Sequence, residues 1–471
     1  MNKKKELAKN TFIILAGKVS TQMITFFMLP LYTSYLLTEE YGLVDLITTY
    51  VTLIIPIITL DTEMAMFRFL IERRKDKKET KKLLANNFSY LLIALSIFTV
   101  FYLIVVQFFT IPFKYLILLD IIICVLSSNF LQIARGMGRN TVYSIGCIVT
   151  GLSIVALNIL FIVFLGWGAF GMLLGTALGN FICDIYLFIT LKLYKNLTFK
   201  YNDKALIKSM LKYSIPLVPS TLGWWIINIS DKTIISIFLG VAFNGIYAVA
   251  NKFATIFSSL LNIFNLSWGE SASLHINDSD RNKFFSDVFN TIFKLFASLG
   301  LGIIACMPFI FPILINSRYN DAYNYIPILI LGICFNVLLI LYNGVYIAKK
   351  LTKQVANTTI IGAIVNVVVN LVFVKFIGLY AAAISTATSC CVMTLYRHFD
   401  SKKYIKIQYD KKSFISAFVL FILVMLTYYY RNIYLQLISL IIVIIYAYLT
   451  NRKLLKNFSK SFLNKLIKRN V

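Results

Sequence analysis

The chain has 471 residues, is 59% hydrophobic, only 14% charged, and carries a formal net charge of +26; its mean hydropathy is +0.78. No soluble fold of this length could hide so much apolar surface, which excludes a soluble enzyme and a soluble nucleic-acid-binding domain alike. The composition calls for an all-α integral membrane protein.

A span needs roughly 20 apolar residues, because a helix rises about 1.5 Å per residue across a hydrocarbon core about 30 Å thick. Fourteen such stretches are predicted: 11–36, 42–70, 86–109, 113–134, 142–165, 168–191, 213–240, 244–270, 286–312, 324–348, 355–376, 379–397, 413–430 and 433–451. Several are long enough to demand tilt or kinks. The first holds Lys18 and has no small-residue cleavage site at its end, so it is expected to remain as span 1 and not to be removed as a signal peptide.

Three spans carry polar stripes at helical spacing. Span 1 has Lys18, Thr21, Gln22 and Thr25; span 2 has Thr48, Thr52, Thr59 and Thr62, bordered by Asp45 and Glu63; span 8 has Asn251, Thr255, Asn262 and Asn265. Polar faces in lipid must point at protein or water, so these helices are expected to surround a cavity. The competing reading is that single Thr and Asn side chains only bond packed helices together. In span 6, Gly171, Gly175 and Gly179 make a small-xxx-small ladder that close packing explains.

Of the 46 Lys and Arg, 37 sit in or at the edges of the amino-terminal tail, the even-numbered connections and the carboxy-terminal tail. By the positive-inside rule both termini are expected in the cytoplasm, and the charge describes topology and contact with anionic lipid heads, with no nucleic acid as partner. All seven Cys lie in apolar spans and read as small core residues.

The chain repeats itself. Asn158 to Ala169 aligns without gaps to Asn370 to Ala381 with five identities, and Ile133-Ala134-Arg135 matches Ile347-Ala348-Lys349 just upstream. Each half holds six spans, an even number, so the two halves enter from the same side. The expected organisation is a six-helix lobe at 1–212, a second at 213–398, and two further helices with a basic tail at 399–471.

Motifs of soluble chemistry are present but misplaced. Gly166-Trp-Gly168-Ala-Phe-Gly171 fits G-x-G-x-x-G yet lies in a turn between spans with no strand before it. Asp278-Ser-Asp280 resembles the D-x-D of sugar-nucleotide transferases in a loop too short for a nucleotide-binding domain. His275 and His398 have no Cys or His at ligand spacing, so no metal or other cofactor is expected.

The residues Pro30, Tyr41-Gly42, Ser214-Ile-Pro216-Leu-Val-Pro219-Ser220, Asp231-Lys232, Gly245-Ile-Tyr247-Ala-Val-Ala250-Asn-Lys252 and Trp268 carry a resemblance. The chain resembles the Wzx-type oligosaccharide flippases of bacterial polysaccharide biosynthesis, of the superfamily that also holds multidrug exporters and the peptidoglycan-precursor flippase. The resemblance implies two six-helix lobes in a V, alternating access and no enzymatic turnover. It implies a substrate as well: capsule or O-antigen repeat units on undecaprenyl pyrophosphate, flipped to the outer leaflet of the bacterial cytoplasmic membrane. Partners would be membrane lipids and the polymerase and glycosyltransferases of the same pathway. A drug or teichoic-type polymer exporter, and a membrane glycosyltransferase or polymerase, are the alternatives.

A pyrophosphate buried in a low-dielectric cavity needs counter-charges. The candidates are Lys18, Arg68, Lys232, Lys252 and Lys294, with Gln22, Thr25, Asn228, Asn251, Thr255 and Asn262 as polar lining. Lys18 and Lys294 are expected roughly 12 Å from the inner surface and Lys232 and Lys252 as far from the outer one. The competing reading is that each lysine snorkels, or pairs with a helix carboxylate such as Asp231. Asp61, Glu63, Asp231 and Glu270 are candidates for proton or sodium coupling.

The topology is directly checkable with single-cysteine probes. Probes at Asn2, Lys77, Lys204 and Asn470 should react only from the cytoplasm, and probes at Glu39, Asn320 and Asn432 only from outside. One reversed site would force a recount of the spans.

Overall fold

The computed structural model describes residues 17, 20–196, 201, 203–349 and 351–467. Lys18 lies outside them, and the side chains of Asn228 and Glu270 are likewise outside what is described. The described residues form helices joined by short turns: α1 Leu29–Tyr35, α2 Thr38–Thr59, α3 Thr62–Arg73, α4 Lys77–Val105, α5 Lys114–Gly136, α6 Asn140–Asn158, α7 Gly168–Thr190 and α8 Lys204–Ser214. They continue as α9 Val218–Phe238, α10 Val241–His275, α11 Arg281–Leu314, α12 Ile326–Ala348, α13 Thr352–Ile377, α14 Tyr380–Ser401, α15 Lys411–Tyr430 and α16 Ile433–Ile467.

Among the described residues, ten helices are long and apolar enough to cross a membrane, judged by length and composition. Helices α9, α10 and α14, of 21, 35 and 22 residues, occupy three of the other expected spans. The chain is a multi-pass helical membrane protein.

One expected span is not a single helix. The stretch 42–70 breaks at Leu60 and Asp61, which take left-handed φ of 50° and 55° between α2 and α3. Pro56 prepares the break by removing one amide from the ladder. Span 5 ends in a π turn at Ile159–Phe164, and α4 starts at Lys77, nine residues before its apolar stretch, because Asp76 caps it by accepting from the amides of Lys78 and Glu79.

The chain divides into two compact units, 1–248 and 249–471. In the first, Ala65, Met66, Leu70, Leu83, Phe130, Ile133, Leu187, Leu206 and Met210 form one buried cluster from α3, α4, α5, α7 and α8. The glycine ladder of α7 packs as its spacing predicts. A Cβ at Gly171 would press on Phe161, one at Gly175 would meet the Asn158 amide and one at Gly179 would meet Ile154. In the second unit Trp268 fills the space over Gly344 and donates its Nε1–H to the Leu341 carbonyl at 3.1 Å.

The repeat appears in backbone and charge. Gly166 and Gly378 both take positive φ, and Asn158 and Asn370 are both fully buried. Lys82 and Lys294, related by the same offset, each hold the aspartate that caps a later helix. Lys82 pairs with Asp203 at 2.7 Å and Lys294 with Asp410 at 2.6 Å. An asparagine on the same helix then accepts from the aspartate's own amide, Asn86 for Asp203 and Asn290 for Asp410.

Hydrogen bonds from Lys294 and Ser413 hold the Asp410 carboxyl down to about 2 from an ordinary 3.8. A depressed carboxylate contributes stability that is fully present above the unfolded-state value and is lost as pH falls through the folded one. Thermal unfolding in detergent should therefore show the second unit losing stability as pH is lowered from 3.8 toward about 2. Asp410→Asn should start less stable and lose that part of the pH dependence.

Candidate functional site

Among the described residues of the first unit, a constellation of polar and charged side chains lies where α9 and the first turns of α10 pack on α2. Gly42 and Gly245 face each other there. A Cβ on Gly42 would run into the Val241 carbonyl and the Gly245 amide, and one on Gly245 into the Thr38 carbonyl. Two hydrogen-only side chains thus let helices approach to backbone contact in a region where packing, and not water, drives association.

A ladder of polar contacts runs on from that point. Asn244 donates to the Gly42 carbonyl at 2.9 Å. One turn along α2, Asp45 pairs with Lys232 of α9 at 2.8 Å, and the same ammonium donates to the Thr49 hydroxyl at 2.8 Å. Tyr50 and Thr233 share a hydrogen bond of 2.7 Å, and Tyr247 donates to Asp231 at 3.2 Å. The Asp45 and Lys232 side chains are only 16% and 14% exposed, so their pair is largely desolvated.

Lys232 therefore meets Asp45, and not its sequence neighbour Asp231, which turns instead to Tyr247. The sequence marked Asp45 as the border of a stripe without giving it a partner, because the pairing is between helices far apart in the chain.

The other candidates fall in separate places. Arg68 lies on α3 in an ion pair with Glu72 at 2.8 Å, with both side chains at least half exposed. Lys294 belongs to the Asp410 latch of the second unit. Lys252 and Asn251 are half-buried on α10, while Thr255 and Asn262 are exposed. Thr255 donates to the Asn251 carbonyl. In the first unit Gln22 and Thr25 are exposed, and Thr25 donates to the Thr21 carbonyl. Thr48 and Thr52 bond back to carbonyls of their own helix. Asp61, Thr62 and Glu63 are buried at the break between α2 and α3.

Two buried acids were missed by sequence reasoning. Asp120 on α5 and Asp184 on α7 are 3% and 4% exposed. Ser127 donates to Asp184 at 2.7 Å, and Cys124 lies 3.5 Å from Asp120. The available signal was simple: each is the single acidic residue of an otherwise apolar span.

The glycine-rich turn at Gly166 is a helix cap. Glu40 reaches into it, accepting from the Ala169 amide and from the Leu37 amide, and its carboxylate occupies the space a Cβ on Gly168 would need. Asp278 of the D-x-D sequence is engaged with His275 at 2.7 Å. Among the described residues no three His, Cys, Asp or Glu side chains gather as a metal-ligand group.

Residues 7–268 match the family described as "Polysaccharide biosynthesis protein". No curated protein matches the chain with significance. Among solved structures, the chain is similar to the lipid II flippase MurJ in an inward closed conformation, with a TM-score of 0.68 at 17% identity over 95% of this chain and 99% of that one. It is similar to an inward-facing multidrug resistance MATE family transporter of the MOP superfamily, with a TM-score of 0.66 at 14% identity over 83% and 98% of the two chains. A MOP superfamily transporter from Pyrococcus furiosus, described as having a binding pocket of reversed polarity, gives 0.57 at 14% identity over 85% and 96%. At these identities the likeness establishes the fold.

The Asp45–Lys232 pair can be tested by a charge cycle. Asp45→Asn or Lys232→Gln alone should each cost about 2 kcal/mol, between the values for exposed and fully buried pairs. The exchanged double variant Asp45→Lys with Lys232→Asp should recover part of that loss in a thermal unfolding assay. Strictly additive losses in the double variant Asp45→Asn with Lys232→Gln would show that the two charges are not coupled.

Proposed function

Since the chain belongs to the polysaccharide biosynthesis protein family, we propose that it flips oligosaccharide repeat units linked to undecaprenyl pyrophosphate from the inner to the outer leaflet of a bacterial cytoplasmic membrane. The observation that carries this reading is the family match over residues 7–268, on a chain with the fold of a lipid flippase along 95% of its length. The positive-inside bias of the sequence places both termini in the cytoplasm on this reading.

Such a substrate has a polar head that cannot enter hydrocarbon and a polyprenyl tail that need not leave it. The transporter must offer the head a polar path open to one side at a time. On the expected topology the contact of α2 with α9 and α10 lies toward the external side, and its packing supports a state closed there. Opening outward would require Gly42 and Gly245 to part and Lys232 to leave Asp45. The freed ammonium would then stand on the outer half of the path, available to the pyrophosphate. A charge pair suits this exchange, because one anion replaces another without leaving the lysine uncompensated.

Lys18 supplies the matching cation on the inner half in this scheme. The test is outer-leaflet arrival of lipid-linked oligosaccharide in Lys18 variants at matched membrane levels. Lys18→Ala should abolish transfer and Lys18→Arg retain part of it, since a buried cation can be replaced by another at some geometric cost. A lysine that only packs its stem would tolerate Met, so wild-type transfer by Lys18→Met would sink the role. Replacing Asp278 and Asp280 together by Asn should leave transfer intact, and loss of transfer by that properly inserted variant would favour the transferase alternative.

A further inference from the structure

Within the second unit, the end of α10 and the start of α11 border a cleft of about 390 Å³ that the flippase reading does not use. Its volume falls in the range of roughly 300 to 1,000 Å³ usual for small-molecule sites. Phe264, Trp268 and Ser271 line it from α10, and Phe284, Asp287 and Thr291 from α11. Each set repeats every three or four residues and so belongs to one face of its helix. At about 100° per residue, the α10 set lies on the side of that helix turned away from the polar stripe Asn251, Thr255 and Asn262. The cleft is thus separate from the face expected to line a transport cavity. The turn at Asp278 joins the two helices, and on the expected topology it is cytoplasmic, which puts the cleft at the inner membrane surface.

Two kinds of surface meet there. One is aromatic: the rings of Phe264 and Phe284 lie 17° and 27° from the plane of the Trp268 ring, at centroid separations of 5.9 and 6.2 Å. Trp268 is buried and fixed to α12, filling the space over Gly344 and donating to the Leu341 carbonyl, so the wall is rigid before any ligand arrives. Phe264 and Phe284 are half-buried and lie at the cleft. The other surface is polar. Asp287 is exposed, Ser271 and Thr291 are half-buried, and none of the three has a hydrogen-bond or ion-pair partner among the described residues. No Lys or Arg is among the described residues of the lining.

We propose that this cleft binds the sugar ring of a membrane glycolipid, and that the sugar is neutral or an amino sugar. A pyranose has an apolar face of C–H bonds, slightly positive and suited to the negative face of an aromatic ring, and a rim of hydroxyls. The face would lie on Phe264 and Phe284. A carboxylate only accepts, so Asp287 matches hydroxyl donors, while the Ser271 and Thr291 hydroxyls can both give and take. A phosphate-bearing head or a uronic acid would bring a second negative charge against Asp287 with no described cation in the lining to offset it. Val288 and Ile292 continue the lining toward the span, where a lipid tail can stay in hydrocarbon. Only the identification of this glycolipid with the transported one rests on the flippase reading; the site itself does not.

The test uses purified full-length protein in a detergent without a sugar headgroup and needs no transport assay. Saturation-transfer NMR should show binding of methyl β-glucoside and methyl N-acetyl-β-glucosaminide and none of glucuronate or phosphoethanolamine. Dodecyl β-glucoside should displace both glycosides at lower concentration than methyl β-glucoside does, as a lipid-borne sugar requires. Asp287→Asn should weaken sugar binding about tenfold, the loss of a charge-assisted hydrogen bond. Thr291→Val should weaken it in the same direction, and Phe264→Ala should abolish it. Ser273→Ala, on α10 but outside the lining, should bind as wild type does. Asp287 is exposed and engages no described partner, so its Asn variant is expected to fold.

Absence of transfer to either glycoside overturns the proposal, as does unchanged binding in Asp287→Asn. Stronger binding of phosphoethanolamine than of the sugars overturns it in favour of a phospholipid head, and stronger binding of glucuronate overturns the assignment to neutral and amino sugars. Displacement by methyl and dodecyl glucosides at equal concentration overturns the glycolipid as the source, in favour of a soluble sugar. Sugar binding by a protein that moves no lipid-linked sugar would keep the site and remove the flippase reading.

Discussion

Hydrocarbon offers no hydrogen bonds, so each place where this backbone leaves the helical ladder has to be met from within the protein. The departures are few, and polar side chains stand at them. Tyr90 donates to the Thr59 carbonyl where α2 stops. Glu40 takes the amides of Leu37 and Ala169 at two helix starts. Asn158, at the start of the π turn, lies buried against Gly175 and donates to the Tyr32 hydroxyl at 2.7 Å. Many polar residues of the interior are thus explained by backbone they repair, and those that repair nothing become conspicuous. Asp120 and Asp184, whose partners are the side chains of Cys124 and Ser127, are of that second kind.

The same constraint organises the charges. Lys82, Lys232 and Lys294 each sit within 2.8 Å of a carboxylate from another segment. A cation so placed is not simply available to an anionic substrate, which has to displace a carboxylate to reach it. For Lys82 and Lys294 the partner is a helix-capping aspartate, and the ion pair fixes a connection between helices. For Lys232 the partner lies on α2, and the pair fixes how two helices pack. Two roles follow from one chemistry, and it is the location of the carboxylate that separates them.

Length, apolar runs and charge asymmetry made the helices and their number largely legible, because each of those signals is local. The repeat was legible for a similar reason: Gly166 and Gly378 mark the same turn, and both need a left-handed backbone. The break at Leu60 was not, since apolar periodicity runs through it and its local clues, Pro56 and a pair of acids, also occur in continuous helices. The partner of Lys232 was out of reach because pairing between helices depends on rotation about each axis, which periodicity fixes only to a face. Asp120 and Asp184 were visible as letters. Each stands alone on its span with no polar stripe beside it, although burial makes a single acid in an apolar span at least as costly as a stripe.

The repeat would divide the chain at residue 212, while its contacts divide it at 248. Between those positions lie the last residues of α8, all of α9 and the start of α10, which pack within the first unit. What holds α9 and α10 on α2 is a glycine pair, the Asp45–Lys232 pair and a Tyr50–Thr233 hydrogen bond. None of these is a large apolar surface. Close glycine contacts are lost abruptly when helices separate, and a charge pair can be exchanged for another anion, so such an interface is well suited to having two discrete states. The first-unit core built on Ala65, Met66, Leu70 and Leu83 is of the opposite kind, close-packed side chains with no polar partner to exchange. Asp61 ties the two kinds together, because it stands at the end of α2, opens α3 into that core and holds Thr221 of α9.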